Sequence, residues 1–156
     1  VVVGVNGYEV SDTQALRFRV ATLGVGETAQ LKLIRQSREI SVAVPLIAPP
    51  EKPARDMTEV GGRNPFTGAT VANLNPALTE EMGIGGAPTG VMILFLKRGS
   101  PAHQIGLRPG DIIEHVNATS IAVVGDLKKA VQSAQGNGWK IQIKREGRSL
   151  AIQVGA

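Results

Sequence analysis

Hydrolytic chemistry would need an activated serine with a histidine in reach, and the chain offers only His103 and His115 as bases. No serine stands in a Gly-x-Ser-x-Gly elbow. His115 falls inside an alternating apolar segment and reads as a solvated or half-buried strand residue. His103 follows Pro101 on a short helical stretch and reads as exposed. Cysteine is absent, and neither the histidines nor the carboxylates are grouped at metal-ligand spacing. Gly24-Val25-Gly26-Glu27-Thr28-Ala29 has the spacing of a dinucleotide loop, but it lies between a helix and a following strand. Glycines that cradle a pyrophosphate need the reverse order, so this reads as a turn. Basic pairs at Lys97-Arg98, Lys128-Lys129 and Lys144-Arg145 lie on separate elements. With 3% aromatics they make no stacking surface for nucleic acid. The expectation is no catalytic residue, no metal, no cofactor and no nucleic-acid partner.

What the chain can do is bury an aliphatic core. Hydrophobic residues are 42% of its 156, charged residues 19%, and the net charge is +4. That composition excludes global disorder. No apolar run approaches the ~20 residues a bilayer-spanning helix requires, so membrane insertion is not expected. The opening Val1-Val2-Val3-Gly4-Val5 reads as the interior of a strand, and the chain is therefore read as part of a longer polypeptide.

The elements that would position any site come in two copies. Val5, Asn6, Leu16 and Val20 match Val116, Asn117, Leu127 and Val131 at a constant offset of 111; after one gap, Arg35, Arg38 and Val44 match Arg145, Arg148 and Val154 at 110. Each copy reads strand, turn, amphipathic helix, loop, strand, turn, strand. Leu127, Ala130, Val131 and Ala134 form one helical stripe, and Leu16, Val20 and Leu23 form its counterpart. The closing strands are expected over Lys140–Arg145 and Ser149–Val154, and over Leu31–Arg35 and Glu39–Val44. Upstream of its repeat the second copy adds a strand over Gly68–Leu74, a helix opened by Asn75-Pro76, a Gly83–Gly90 loop, a strand over Val91–Leu96 and a short helix opened by Ser100-Pro101. Between the copies, prolines mixed with Glu51, Lys52, Arg55, Asp56, Glu59 and Arg63 read as a solvated linker. The boundaries expected are a truncated first domain over 1–44, a linker over 45–63 and a complete second domain over 64–156.

Gly99-Ser100-Pro101-Ala102, then Ile105-Gly106-Leu107-Arg108-Pro109-Gly110-Asp111-Ile112-Ile113, then Val116-Asn117 resembles the signature of PDZ domains, in the form found in bacterial HtrA/Do-type (Deg) serine proteases. The resemblance covers 64–156 and, as the second half of a preceding PDZ domain, 1–44. It implies a mainly β fold with short helices (α+β), a partly open β-barrel or sandwich, in two copies with the first truncated.

In such domains a partner chain adds as a strand between a sheet edge and a helix. By position, the resemblance implies that Phe66, Thr67, Gly68 and Ala69 form the carboxylate loop and that Ala69, Thr70 and Val71 begin the pairing edge. Val124, Leu127, Lys128 and Val131 would form the helical wall. The parent would be a periplasmic, homo-oligomeric serine endopeptidase of protein quality control. This portion, without catalytic residues, would bind C-terminal or unfolded polypeptide segments and regulate or assemble the protease. The competing readings are a PDZ scaffold of an envelope or secretion complex and the PDZ region of an intramembrane metalloprotease. A Gly-Asn-Ser-Gly-Gly stretch upstream of Val1 would favour the first parent.

Overall fold

The computed structural model describes residues 1–86, 88–134 and 138–155; Ala87, within the expected Gly83–Gly90 loop, lies outside them. The chain divides into two compact units, Val1–Pro49 and Pro50–Ala156.

The first unit contains β1 (Val2–Val5), β2 (Tyr8–Glu9), α1 (Thr13–Ala21), β3 (Thr28–Arg35) and β4 (Arg38–Pro45), with sheet order β2-β1-β3-β4. β3 and β4 form a long hairpin turned by Gln36 and Ser37, both at positive φ. That pair of conformations matches the right-handed twist of the strands. Asp12 caps α1 by accepting from the Ala15 N–H at 2.8 Å. The α1 stripe is only half covered: Ala15, Leu16 and Leu23 pack on the small buried cluster Val5, Val10 and Ala29, while Phe18 stays 66% exposed.

The second unit contains β5 (Thr58–Glu59), β6 (Ala69–Asn73), α2 (Pro76–Glu81), β7 (Val91–Leu96), α3 (Pro101–Gln104), β8 (Ile112–Val116), β9 (Thr119–Ser120), α4 (Val124–Ser133), β10 (Trp139–Arg145) and β11 (Arg148–Val154). Among the described residues its strands form one open sheet in the order β11-β10-β8-β7-β6-β5, with β9 on β8; the sheet does not close into a barrel. β10 alternates as its sequence demands, turning Ile141 and Ile143 into the core. The expected caps form: the Asn75 side-chain Oδ1 accepts from the Leu78 N–H at 2.7 Å, and the Ser100 hydroxyl accepts from the His103 N–H at 3.4 Å.

The repeat is visible in the wiring. The element order of the first unit recurs in β8, β9, α4, β10 and β11. Asn6 N–H donates to Gln30 O at 2.9 Å, and its side-chain oxygen accepts from Gln30 N–H at 2.7 Å. Asn117 makes the same two bonds to Lys140, at 2.7 and 2.9 Å. A turn asparagine thus extends strand pairing by one residue in both units.

The 45–63 stretch does not behave as a solvated linker throughout. β4 runs through Pro45, and residues 53–60 lie along β6. The Asn73 amide donates to Ala54 O at 2.8 Å, the Asn75 amide donates to Pro53 O at 2.9 Å, and Asn73 N–H donates to Arg55 O at 2.7 Å. Two asparagine side chains give this proline-rich segment the partners that its own backbone could not supply.

Candidate functional site

A sheet edge, a glycine loop and an amphipathic helix converge at β6, residues 66–69 and α4. The helix starts where two side chains satisfy its free N–H groups. Asn73 Oδ1 accepts from Val124 N–H at 2.6 Å, and Asp126 Oδ2 accepts from the Ala122 and Val123 N–H groups at 3.1 Å each. α4 then buries Val124, Leu127 and Ala130. Val131 is half buried against the same core, and Lys128 points outward.

The loop that precedes β6 is internally tied. Phe66 is fully buried in the main core cluster rather than lining an open groove. The Thr67 hydroxyl is placed to donate to Gly62 O at 2.7 Å or Asn64 O at 2.9 Å. Gly68 has φ of +86°, and a Cβ there would collide with the Ser100 side chain. Only glycine fits, on both counts. Ala69 is fully buried, Thr70 half buried and Val71 fully buried.

The expected nest of free N–H groups is engaged. Phe66 N–H donates to Asn64 Oδ1, Thr67 N–H to Asn64 O, Ala69 N–H to Phe66 O, and Gly68 N–H to Val60 O at 2.9 Å. The last of these is the informative one. Thr58 pairs with Val71 and Glu59 with Thr70, antiparallel, and Val60 N–H donates to Ala69 O at 2.8 Å. The free edge of β6 is therefore covered by the chain itself. Val60, 8% exposed, joins the same apolar cluster as Phe66, Val124 and Leu127. One side of this segment is tethered to the helix by Lys128, whose ammonium lies 3.6 Å from an Asp56 carboxylate oxygen. Both side chains are about half exposed, so this pair contributes little on its own. A cleft of about 310 Å³ remains between residues 58–64 and the Val124, Leu127 and Val131 face of α4.

The ten residues expected from the sequence thus fall around one place, but the segment 58–60 lies among them. Thr58, Glu59, Val60 and Asn73 were not anticipated. The available signal was the β-branched pair Thr58 and Val60 ahead of Gly61-Gly62, within a stretch otherwise dominated by proline and charge. His103 and His115 are both exposed and lie on α3 and β8, away from this cleft. Among the described residues no group of three histidines or carboxylates is placed to hold a metal ion, and no helix is long and apolar enough to cross a membrane.

Residues 96–140 match the family described as PDZ domain. The chain is 28% identical over 137 residues to a probable periplasmic serine endoprotease DegP-like protein of Chlamydia trachomatis, covering 87% of this chain and 26% of that one. It is 30% identical over 133 residues to the periplasmic serine endoprotease DegP of Escherichia coli K12, covering 85% and 25% respectively. The chain therefore spans about a quarter of the length of these relatives. Among solved structures, an HtrA-type protease AlgW with decapeptide aligns with a TM-score of 0.49 and 25% identity, over 56% of this chain and 27% of that one.

Proposed function

We propose that this chain is part of the PDZ region of an HtrA/Deg-type serine protease, and that its second unit binds extended polypeptide segments in the groove between β6 and α4. The observation that carries the proposal is the groove's present grip on an extended strand. Backbone bonds along β6 hold the segment irrespective of sequence, the Gly68 N–H holds its last carbonyl, and the pocket beneath α4 takes one aliphatic side chain. Phe66 and Ala69 lie in the apolar cluster that Val60 joins, Thr67 and Gly68 shape the loop, Thr70 and Val71 supply the edge, and Val124, Leu127, Lys128 and Val131 supply the wall. Residues 1–44, which repeat the element order of β8 to β11, are read as the second half of a preceding PDZ domain.

The parent protein is a periplasmic, oligomeric serine endopeptidase whose PDZ region delivers unfolded or C-terminal segments and contributes to assembly. A carboxylate at a peptide's C-terminus would add a charge-assisted bond at the Gly68 N–H, where Val60 now offers a neutral carbonyl.

Titrating the full chain with a hydrophobic-ended peptide, followed residue by residue by NMR, tests this. Shifts are expected at residues 66–71 and along α4, and Val131→Lys should weaken binding about tenfold or more, roughly 1.4 kcal/mol. Shifts confined to the first unit, or none at millimolar peptide, would overturn the proposal.

A further inference from the structure

Resting on that reading, we propose that residues Asp56–Val60 are a resident pseudo-ligand, so that the groove is self-occluded and an outside segment must displace the chain's own strand before it can bind. Three independent contacts place the segment where an added strand would lie. Its backbone pairs antiparallel with the β6 edge through Thr58 and Glu59. Its Val60 carbonyl sits on the Gly68 N–H at 2.9 Å. Its Val60 side chain is buried among the apolar residues below α4. Asp56 adds a fourth, partly screened tie to Lys128 across the groove.

The occluding strand is also built to let go. Only Thr58 and Glu59 are regular strand, so the ladder is two residues long. Gly61 and Gly62 follow at once, and a Cβ at Gly61 would meet nothing within 4 Å. Opening there must release two bonds, from the Asn64 amide to Gly61 O at 2.8 Å and from the Thr67 hydroxyl to Gly62 O at 2.7 Å. The upstream anchors at Pro53, Ala54 and Arg55 lie at the other end of β6, on Asn73 and Asn75, and need not break when Val60 leaves. The geometry describes a flap hinged near Arg55 and released at Gly61-Gly62.

Self-occlusion has a quantitative consequence. If the groove is open for a fraction f of the time, the measured dissociation constant is the intrinsic one divided by f. A minor open state of about 10% or less weakens an external peptide about tenfold or more.

The probe is the segment's own sequence, Asp-Met-Thr-Glu-Val, as a free peptide with a C-terminal carboxylate. Its affinity is measured for the full chain, for Val60→Gly and for the doubly substituted Glu59→Cys, Thr70→Cys chain. The natural chain has no cysteine, and Glu59 and Thr70 are directly opposed, so oxidation pins the flap shut. Val60→Gly is expected to bind at least about tenfold more tightly than the natural chain. The oxidised double variant should bind at least about tenfold more weakly than the same variant reduced. Equal affinities for the natural chain and Val60→Gly, together with undiminished binding to the oxidised variant, would overturn self-occlusion while leaving peptide binding intact. Were Val60→Gly to unfold, the oxidised-versus-reduced comparison alone decides. Failure of every form, including the reduced double variant, to bind this peptide or any hydrophobic-ended one would overturn peptide binding itself.

Discussion

At the scale of single residues, the arrangement most sensitive to change is Asp111. Its carboxylate is fully buried, accepts from the Arg108 N–H at 2.8 Å and is gripped by Arg145 through Nε at 2.6 Å and Nη2 at 2.7 Å. Arg145 also donates to Gly106 O at 2.9 Å, so one guanidinium fastens β10 to the turn ahead of β8. Hydrogen bonding and attraction to Asp111 raise the already high pKa of Arg145, so the guanidinium stays charged. Burying charges is costly, and removing one partner leaves the other uncompensated. Arg145→Met, which keeps the aliphatic stem, should therefore destabilise the second unit by about 3 kcal/mol, toward the low end for buried pairs because the Arg145 side chain is 22% exposed. Urea unfolding followed by circular dichroism measures it. A loss under 1 kcal/mol would mean that water takes over the role of the guanidinium.

At the scale of elements, Asn73 couples three of them. Its side-chain oxygen holds the first N–H of α4, its amide holds Ala54, and its backbone extends β6. It is 6% exposed, so each lost bond would leave a buried polar partner unmet. Asn73→Ala should cost on the order of 2–4 kcal/mol for its two side-chain bonds and loosen residues 53–57 before the rest of the unit. Limited proteolysis is the direct check, since Arg55 should become the first trypsin site. Unchanged protection at Arg55 would show that Asn75 and the salt bridges from Arg55 to Glu51 and Glu81, 2.7 and 2.8 Å long, suffice to hold it. The two longest helices differ in the same currency, and only α4 has the apolar face that the sequence suggested for both. α4 buries three apolar residues, whereas α1 buries none completely, so α1 should exchange its amides sooner.

At the scale of the whole molecule, each unit has its own apolar cluster, and the main one belongs entirely to residues after Pro50. Residues 50–156 should therefore fold without the first unit. Starting instead at residue 64 removes Val60 and the strand on the β6 edge. Loss of one buried valine costs about 1.5 kcal/mol in burial alone, and the bared edge becomes a pairing site. The shorter fragment should melt below the longer one and bind peptide more tightly, as measured by calorimetry and titration on both. Identical melting temperatures would mean that residues 50–63 contribute nothing to the fold.

Much of this was legible in the chain. The stripe at Leu127, Ala130 and Val131, the caps at Asn75 and Ser100, and the doubled turn asparagines Asn6 and Asn117 all lie in local spacing, because helices, caps and tight turns are built from residues a few positions apart. The signature through Gly110-Asp111 was equally local, and it carried the resemblance to PDZ domains. The groove's residues could be grouped by that resemblance, but its occupant could not. A strand of two residues has no period to read, and proline and charge around Thr58 suggested a solvated linker. The bond from Asn73 to Val124 spans 51 positions, and pairing of Thr58 with Val71 depends on which segment of the folded chain lies along the β6 edge. Strand pairing and side-chain bridges of that range are settled by the competition of all backbone groups for partners in three dimensions, which only the folded chain resolves.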